Sequence, residues 1–270
     1  MKTKYIASPY VIWMAVFIVT PLALIVIYAF TTASGEFTLQ NFLSMNKYIS
    51  VFTRSIRMAL WATGICLLIG YPVAYFLARE GARFQRTAIA LIMLPMWMNF
   101  LLRTYAWMSI LENTGLLNRL LAFFGLPAIH IINTEAAVVL GMIYNYLPFM
   151  ILPIYSVIVK IDPFTVEAAQ DLGANSATVF RRVIFPLSLP GVLSGITMVF
   201  VPSISTFVIS KLLGGGANML LGDLIDMQFL GSAVNPNLGS AVSLIMMIVV
   251  MLCIYVMNRF GAGEETAVMF

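Results

Sequence analysis

The chain has 270 residues, of which 61% are hydrophobic and only 10% charged, and its formal net charge is +4. Soluble domains carry about 25% charged residues, so this composition excludes a water-soluble surface. The apolar residues come in long runs, which predicts an all-α, polytopic membrane protein. Its cations flank those runs, where they set orientation, and so do not point to nucleic-acid binding.

In chain order, Met1-Lys2-Thr3-Lys4 precedes an apolar run over residues 9–30. A secretory h-region is about 7–15 residues long. This run is longer, and about 20 residues cross a bilayer, so it reads as a retained first span. Further apolar runs at 57–78, 87–111, 135–159, 184–212 and 239–258 bring the expected number of transmembrane helices to six. Residues 116–133, with Phe123-Phe124-Gly125-Leu126-Pro127, are too broken to span and suggest a short interfacial helix. Three regions result: 1–55, holding the first span and an outer loop; 56–260, the transmembrane domain; and 261–270, a tail. No stretch of soluble composition is long enough for an extramembrane domain of ordinary size.

Placing the N-terminus inside puts nine cations in inner segments: Lys2, Lys4, Arg79, Arg83, Arg86, Lys160, Arg181, Arg182 and Arg259. Five fall outside, namely Lys47, Arg54, Arg57, Arg119 and Lys211. The asymmetry predicts both termini in the cytoplasm. Arg103 is left within the third span. An intramembrane cation is a functional candidate by default, but a structural role fits better: pairing with Glu112 or a carbonyl, or snorkelling outward.

Catalytic chemistry finds little support. Cys66 and Cys253 sit in apolar runs without CxxC spacing, and His130 is the only histidine, so neither a metal site nor a cofactor is expected. Gly214-Gly215-Gly216 is not followed by Lys-Ser/Thr, and no Walker A motif occurs anywhere.

The inner loop 160–183 is the most informative stretch. Asp162 can cap a helix that starts at Pro163. Gly173 can end it with positive φ, and Ser176 can cap a second helix running into the fifth span. Phe164, Ala168 and Leu172 are spaced to share one face. Glu167-Ala168-Ala169, Gly173 and Pro186 stand in the register of Glu-Ala-Ala, three residues, Gly, nine residues, Ile-x-Leu-Pro. Val183 replaces the Ile and Phe185 the Leu. This pattern resembles the signature loop of binding-protein-dependent ABC permeases, whose coupling helix docks on a separate ATPase subunit. The resemblance implies a type I importer fold and an assembly with two ATPase subunits, a second homologous permease and an extracytoplasmic solute-binding protein. It also implies residence among the lipids of the bacterial inner membrane. Glu167 would offer a charged handle, and the two alanines would allow close approach.

Three further segments narrow the resemblance: Gly70-Tyr71-Pro72-Val73-Ala74-Tyr75, the run Leu94 to Trp107, and the run Leu213 to Ile225. They look like the first permease subunit of the spermidine/putrescine subfamily. A flexible polycation suits a path of aromatic faces and carboxylates. Trp97, Asn99 and Tyr105 in span three, Tyr144 in span four, Glu112, and Asp223 in the last outer loop are the candidates for a polyamine substrate path. Pro95 is expected to kink span three and turn polar groups toward a cavity. Permeases for thiamine, iron or other small solutes share parts of these segments. An ion-coupled secondary transporter would need repeats and mid-span carboxylates, which the sequence does not display.

Overall fold

The structure, a computed structural model, describes residues 8–216, 218–231 and 234–261. Lys2, Lys4 and residues 262–270 of the expected tail lie outside the described residues. The described residues are helical apart from short connections and one isolated bridge between Thr31 and Phe37.

Five helices are long and apolar enough to cross a membrane, and the number becomes six if one bent pair, turned by 90°, counts as a single broken span. They are α1 (Pro9–Ala29), α2 (Ile49–Arg79), α6 (Glu135–Ile158), α8 (Ser176–Ser205) and α11 (Pro236–Gly261). The bent pair comprises α3 (Ala82–Trp97) and α4 (Phe100–Leu111), which continues into α5 (Leu116–Phe123). The remaining elements are short: the helical turns Gln40–Ser44 and Met45–Tyr48 that lead into α2, then α7 (Pro163–Asp171), α9 (Val208–Leu213) and α10 (Leu221–Leu230).

Two of the expected spans need correction. Span 87–111 is not one helix, because the chain turns by 90° between α3 and α4. Met98 and Asn99 are extended there, and the Asn99 side-chain oxygen accepts from the N–H groups of Leu101 and Leu102 at 2.8 and 3.3 Å. A side chain that satisfies the free N–H groups of a new helix makes the break affordable inside an apolar region. Span 184–212 also stops early, at Ser205, and restarts as α9 after an extended Thr206. Pro202 removes a backbone donor in the last turn, and Ser203 and Ser205 bond back to the carbonyls of Val199 and Val201 at 2.6 and 3.2 Å. Such back-bonding loosens a helix end.

The centre is a bundle of α2, α6 and α8. Met58, Cys66, Met142, Met150, Ile154 and Val199 are buried there. Close approach rests on glycines. A Cβ at Gly195 would stand 2.8 Å from the Met150 sulfur, and one at Gly191 would stand 2.8 Å from the Pro153 carbonyl oxygen. Lipid gives helices no hydrophobic reason to associate, so contact of this kind supplies the attraction. A second cluster joins α1, α10 and α11 to the bundle through Ala29, Ala59, Ile204, Leu224 and Ala241. Glu135, in the first turn of α6, ties this helix to α2 by accepting from Arg57 at 2.6 Å, with Arg54 at 3.4 Å.

Candidate functional site

The loop 160–183 folds as two capped helical segments joined by a tight turn. Asp162 accepts from the Phe164 N–H at 3.0 Å and so caps α7, with Pro163 in the first turn. Gly173 ends the element with φ +81°. The second helix is capped by Asn175 rather than Ser176: its side chain accepts from the Thr178 N–H at 2.9 Å, and Ser176 is the first helical residue. Asn and Ser are comparable caps, so the register of the turn after Gly173 selects between them.

The two faces of α7 differ sharply. Val166 and Ala169 pack against the central core. On the other side Phe164 is 75% exposed and Leu172 90% exposed, with Glu167 and Ala168 open beside them. The two alanines therefore divide, Ala168 facing outward and Ala169 holding the helix to its own chain.

Helix α7 is linked to the spans. It packs against a π-helical stretch, Phe180–Ile184, inside α8. Phe180 meets the rings of Tyr71 and Tyr75 on α2 edge-on, at 5.8 and 5.3 Å. The Tyr71 and Ser188 hydroxyls share a hydrogen bond of 2.8 Å, and Arg79 lies 4.4 Å over Tyr75. A π-bulge marks a place where a helix can change register. Aromatic contacts thus connect the stretch that α7 packs on directly to α2.

At the opposite end of α8 lie α9 and α10. Asp223 is not in a loop: it occupies the first turn of α10, is 5% exposed, and accepts from the Leu220 N–H at 2.8 Å. The buried cap explains the placement, because the four free N–H groups of a packed helix start need partners. Burial pushes the Asp223 carboxyl above the usual carboxylate range. The Leu220 N–H and the Lys211 ammonium pull it back, and Asp226 adds to the rise. Lys211 donates to Asp226, a contact that no sequence pattern signalled.

The other candidate path residues are dispersed. Trp97 ends α3 and is 81% exposed, whereas Asn99 spends its oxygen on the α4 cap. Tyr105 is exposed on α4. Tyr144 packs edge-on against Trp107 at 5.2 Å, which joins α4 to α6. Glu112 is exposed at the C-terminal end of α4. It does not pair with Arg103: among the described residues no carboxylate lies within ion-pair distance of that guanidinium. Arg103 is buried against Phe100, 6.0 Å from the ring centroid, with Nε unbonded. The helical turn between Arg103 and Glu112 explains the miss, since positions nine apart fall on different faces and two and a half turns away.

Comparison with known proteins bears on this arrangement. Residues 67–262 match the family described as binding-protein-dependent transport system inner membrane component. The spermidine/putrescine transport system permease protein PotB of Haemophilus influenzae is 38% identical over 257 residues, covering 92% of this chain and 90% of that protein. PotB of Escherichia coli is 37% identical over 255 residues, covering 90% and 92%. Among solved structures, a bacterial ABC transporter involved in the import of the acidic polysaccharide alginate has a TM-score of 0.78 at 17% identity, covering 97% of this chain and 95% of that one. The MetNI methionine ABC transporter in an inward-facing conformation gives 0.60 at 19% identity, over 79% and 94%. These two structures share the fold alone. With the family match and the PotB relatives both spanning most of its length, the chain belongs to the binding-protein-dependent transport system inner membrane components.

Proposed function

We propose that this chain is a permease subunit of an ATP-driven importer for polyamines such as spermidine and putrescine. The observation that carries the coupling half of this reading is α7, a capped helix fixed to the bundle by Val166 and Ala169 while Phe164 and Leu172 stand open. Apolar side chains held out on a rigid helix suit a helix-in-groove partner, and the partner is an ATPase subunit. One docking helix per chain and a dimeric ATPase call for a second, similar permease beside this one. A solute-binding protein delivers the substrate on the other side of the membrane. Both termini are cytoplasmic, in keeping with Arg79, Arg83, Arg86, Lys160, Arg181 and Arg182 at the α7 end. The polyamine specificity is supported by the two PotB relatives.

In this reading Trp97, Tyr105, Tyr144, Asn99, Glu112 and Asp223 line or flank the path. Trp97 is the one most open to a solute. An exposed cation–π contact contributes about 0.5–1 kcal/mol, so Trp97→Leu should slow uptake by roughly two- to fivefold.

The experiment is uptake of radiolabelled spermidine into cells lacking other polyamine importers, with the chain and its partner subunits expressed together. Saturable, ATP-dependent uptake is expected. Uptake driven by an ion gradient without the ATPase refutes the mechanism. Uptake of another solute, with none of any polyamine, refutes the specificity and leaves the coupling helix in place.

A further inference from the structure

The last outer segment contains more than a buried cap. Helix α8 has 30 residues, and at about 1.5 Å per residue it holds α9 and α10 on the order of 45 Å from α7. Between α9 and α10 is a cavity of about 100 Å³ lined by Ser210, Lys211, Gly216, Met219, Asp223 and Met227. Asp223 borders it with a side chain that is 5% exposed. One oxygen of this carboxylate takes the Leu220 N–H, while Oδ1 has no hydrogen-bond partner. The Ser210 hydroxyl beside it donates instead to the Phe207 carbonyl oxygen at 2.9 Å. A buried carboxylate oxygen without a donor is costly unless a cation completes it.

Lys211 supplies a cation next door, bonded to Asp226 and 5.8 Å from the centroid of the Phe207 ring. Its side chain is 48% exposed, whereas that of Asp226 is 19% exposed. The lysine side chain therefore has solvent beside it, whereas the carboxylate is largely enclosed. Two carboxylates against one ammonium leave an excess of one negative charge. Carboxylates and an aromatic ring are together the chemistry that receives an alkylammonium group, and the flexible Met219 and Met227 side chains adapt to its methylene chain.

We propose that Asp223 and Asp226 form an outer subsite for an ammonium group of the solute, and that Lys211 is its tethered resident, displaced when the solute arrives. This proposal rests on the polyamine reading above. A lysine side chain ends in the same primary alkylammonium as a polyamine, so the exchange replaces like with like. An exchange of that kind admits the solute without making a deep trap, which transport requires. Lys211 then returns to Asp226 as the solute moves on, and discourages its return.

The test uses the assembled permease–ATPase complex in detergent, without binding protein, and equilibrium dialysis against radiolabelled spermidine. Uptake by the unmodified complex is measured in parallel, so that failure of the polyamine reading is seen separately. Lys211→Met removes the competitor and should tighten binding by about fivefold, the factor conceded by an ion pair of roughly 1 kcal/mol. KM for uptake should fall in step, without a rise in kcat. Lys211→Arg should restore the parental affinity, and adding Asp226→Asn or Asp223→Asn to Lys211→Met should reverse the gain. Unchanged or weaker binding by Lys211→Met overturns the proposal, as does a gain that survives loss of both carboxylates. If the unmodified complex neither binds nor imports any polyamine, the proposal and the polyamine reading fall together.

Discussion

Removing the open face of the coupling helix tests the proposed mechanism most directly. Fully burying a Phe or Leu side chain stabilises by about 1.5–3 kcal/mol. Phe164 and Leu172 leave 75% and 90% of their surface open, so a partner groove that covers them recovers most of that amount, about 1–2.5 kcal/mol each. Interface contributions are not additive. The double variant Phe164→Ala, Leu172→Ala should still weaken docking by at least about thirtyfold, which corresponds to roughly 2 kcal/mol. Neither side chain packs on the core, so the permease itself should insert and melt as the parent does. The assay is titration of the purified ATPase subunit onto permease reconstituted in lipid nanodiscs, with ATP turnover recorded on the same samples. Val166→Ala serves as the contrast, because Val166 packs inward and its loss should lower thermal stability more than docking. If the double variant binds the ATPase within twofold of the parent, α7 is not the docking element.

Two further substitutions address α7 and the bundle. Gly173 has φ +81° and open space where a Cβ would stand, so Gly173→Val meets only backbone strain, roughly 1–2 kcal/mol; uptake should drop strongly, and Gly173→Asn, which tolerates that conformation, should retain more of it. At Gly191 the added Cβ would lie 2.8 Å from the Pro153 carbonyl oxygen and 3.1 Å from the Ile154 Cα; because backbone cannot yield as a side chain does, Gly191→Ala should cost about 1–3 kcal/mol, read as a lower melting temperature in detergent, and an unchanged melt would show that α6 and α8 can separate freely there.

The all-helical membrane fold and the capped helix α7 were legible in the sequence because each is a local property. A run of about 20 apolar residues must become a helix in lipid, whatever surrounds it. Asp162, Pro163 and Gly173 act within a turn of their own positions, so their roles follow from residue type and spacing alone. The common face of Phe164, Ala168 and Leu172 was legible for the same reason. Which side of α7 faces the protein was not, since both Val166 and Phe164 are apolar.

Tertiary structure decided what depends on neighbours distant in the chain. Hydropathy is the same for a straight span and for one broken at Met98; Pro95 signalled a kink, but not that the chain turns by 90° and restarts on the Asn99 cap. Asp223 reads as an exposed loop acid until packing of α10 against α11 buries it. Lys211 and Asp226 are fifteen positions apart and have no periodic relation. They meet because α8 ends at Ser205 and α9 turns back over α10. Side-chain pattern thus determines which segments are apolar enough to enter the membrane and how α7 is bounded, whereas charge pairing and burial around α9 and α10 arise only once the helices have packed.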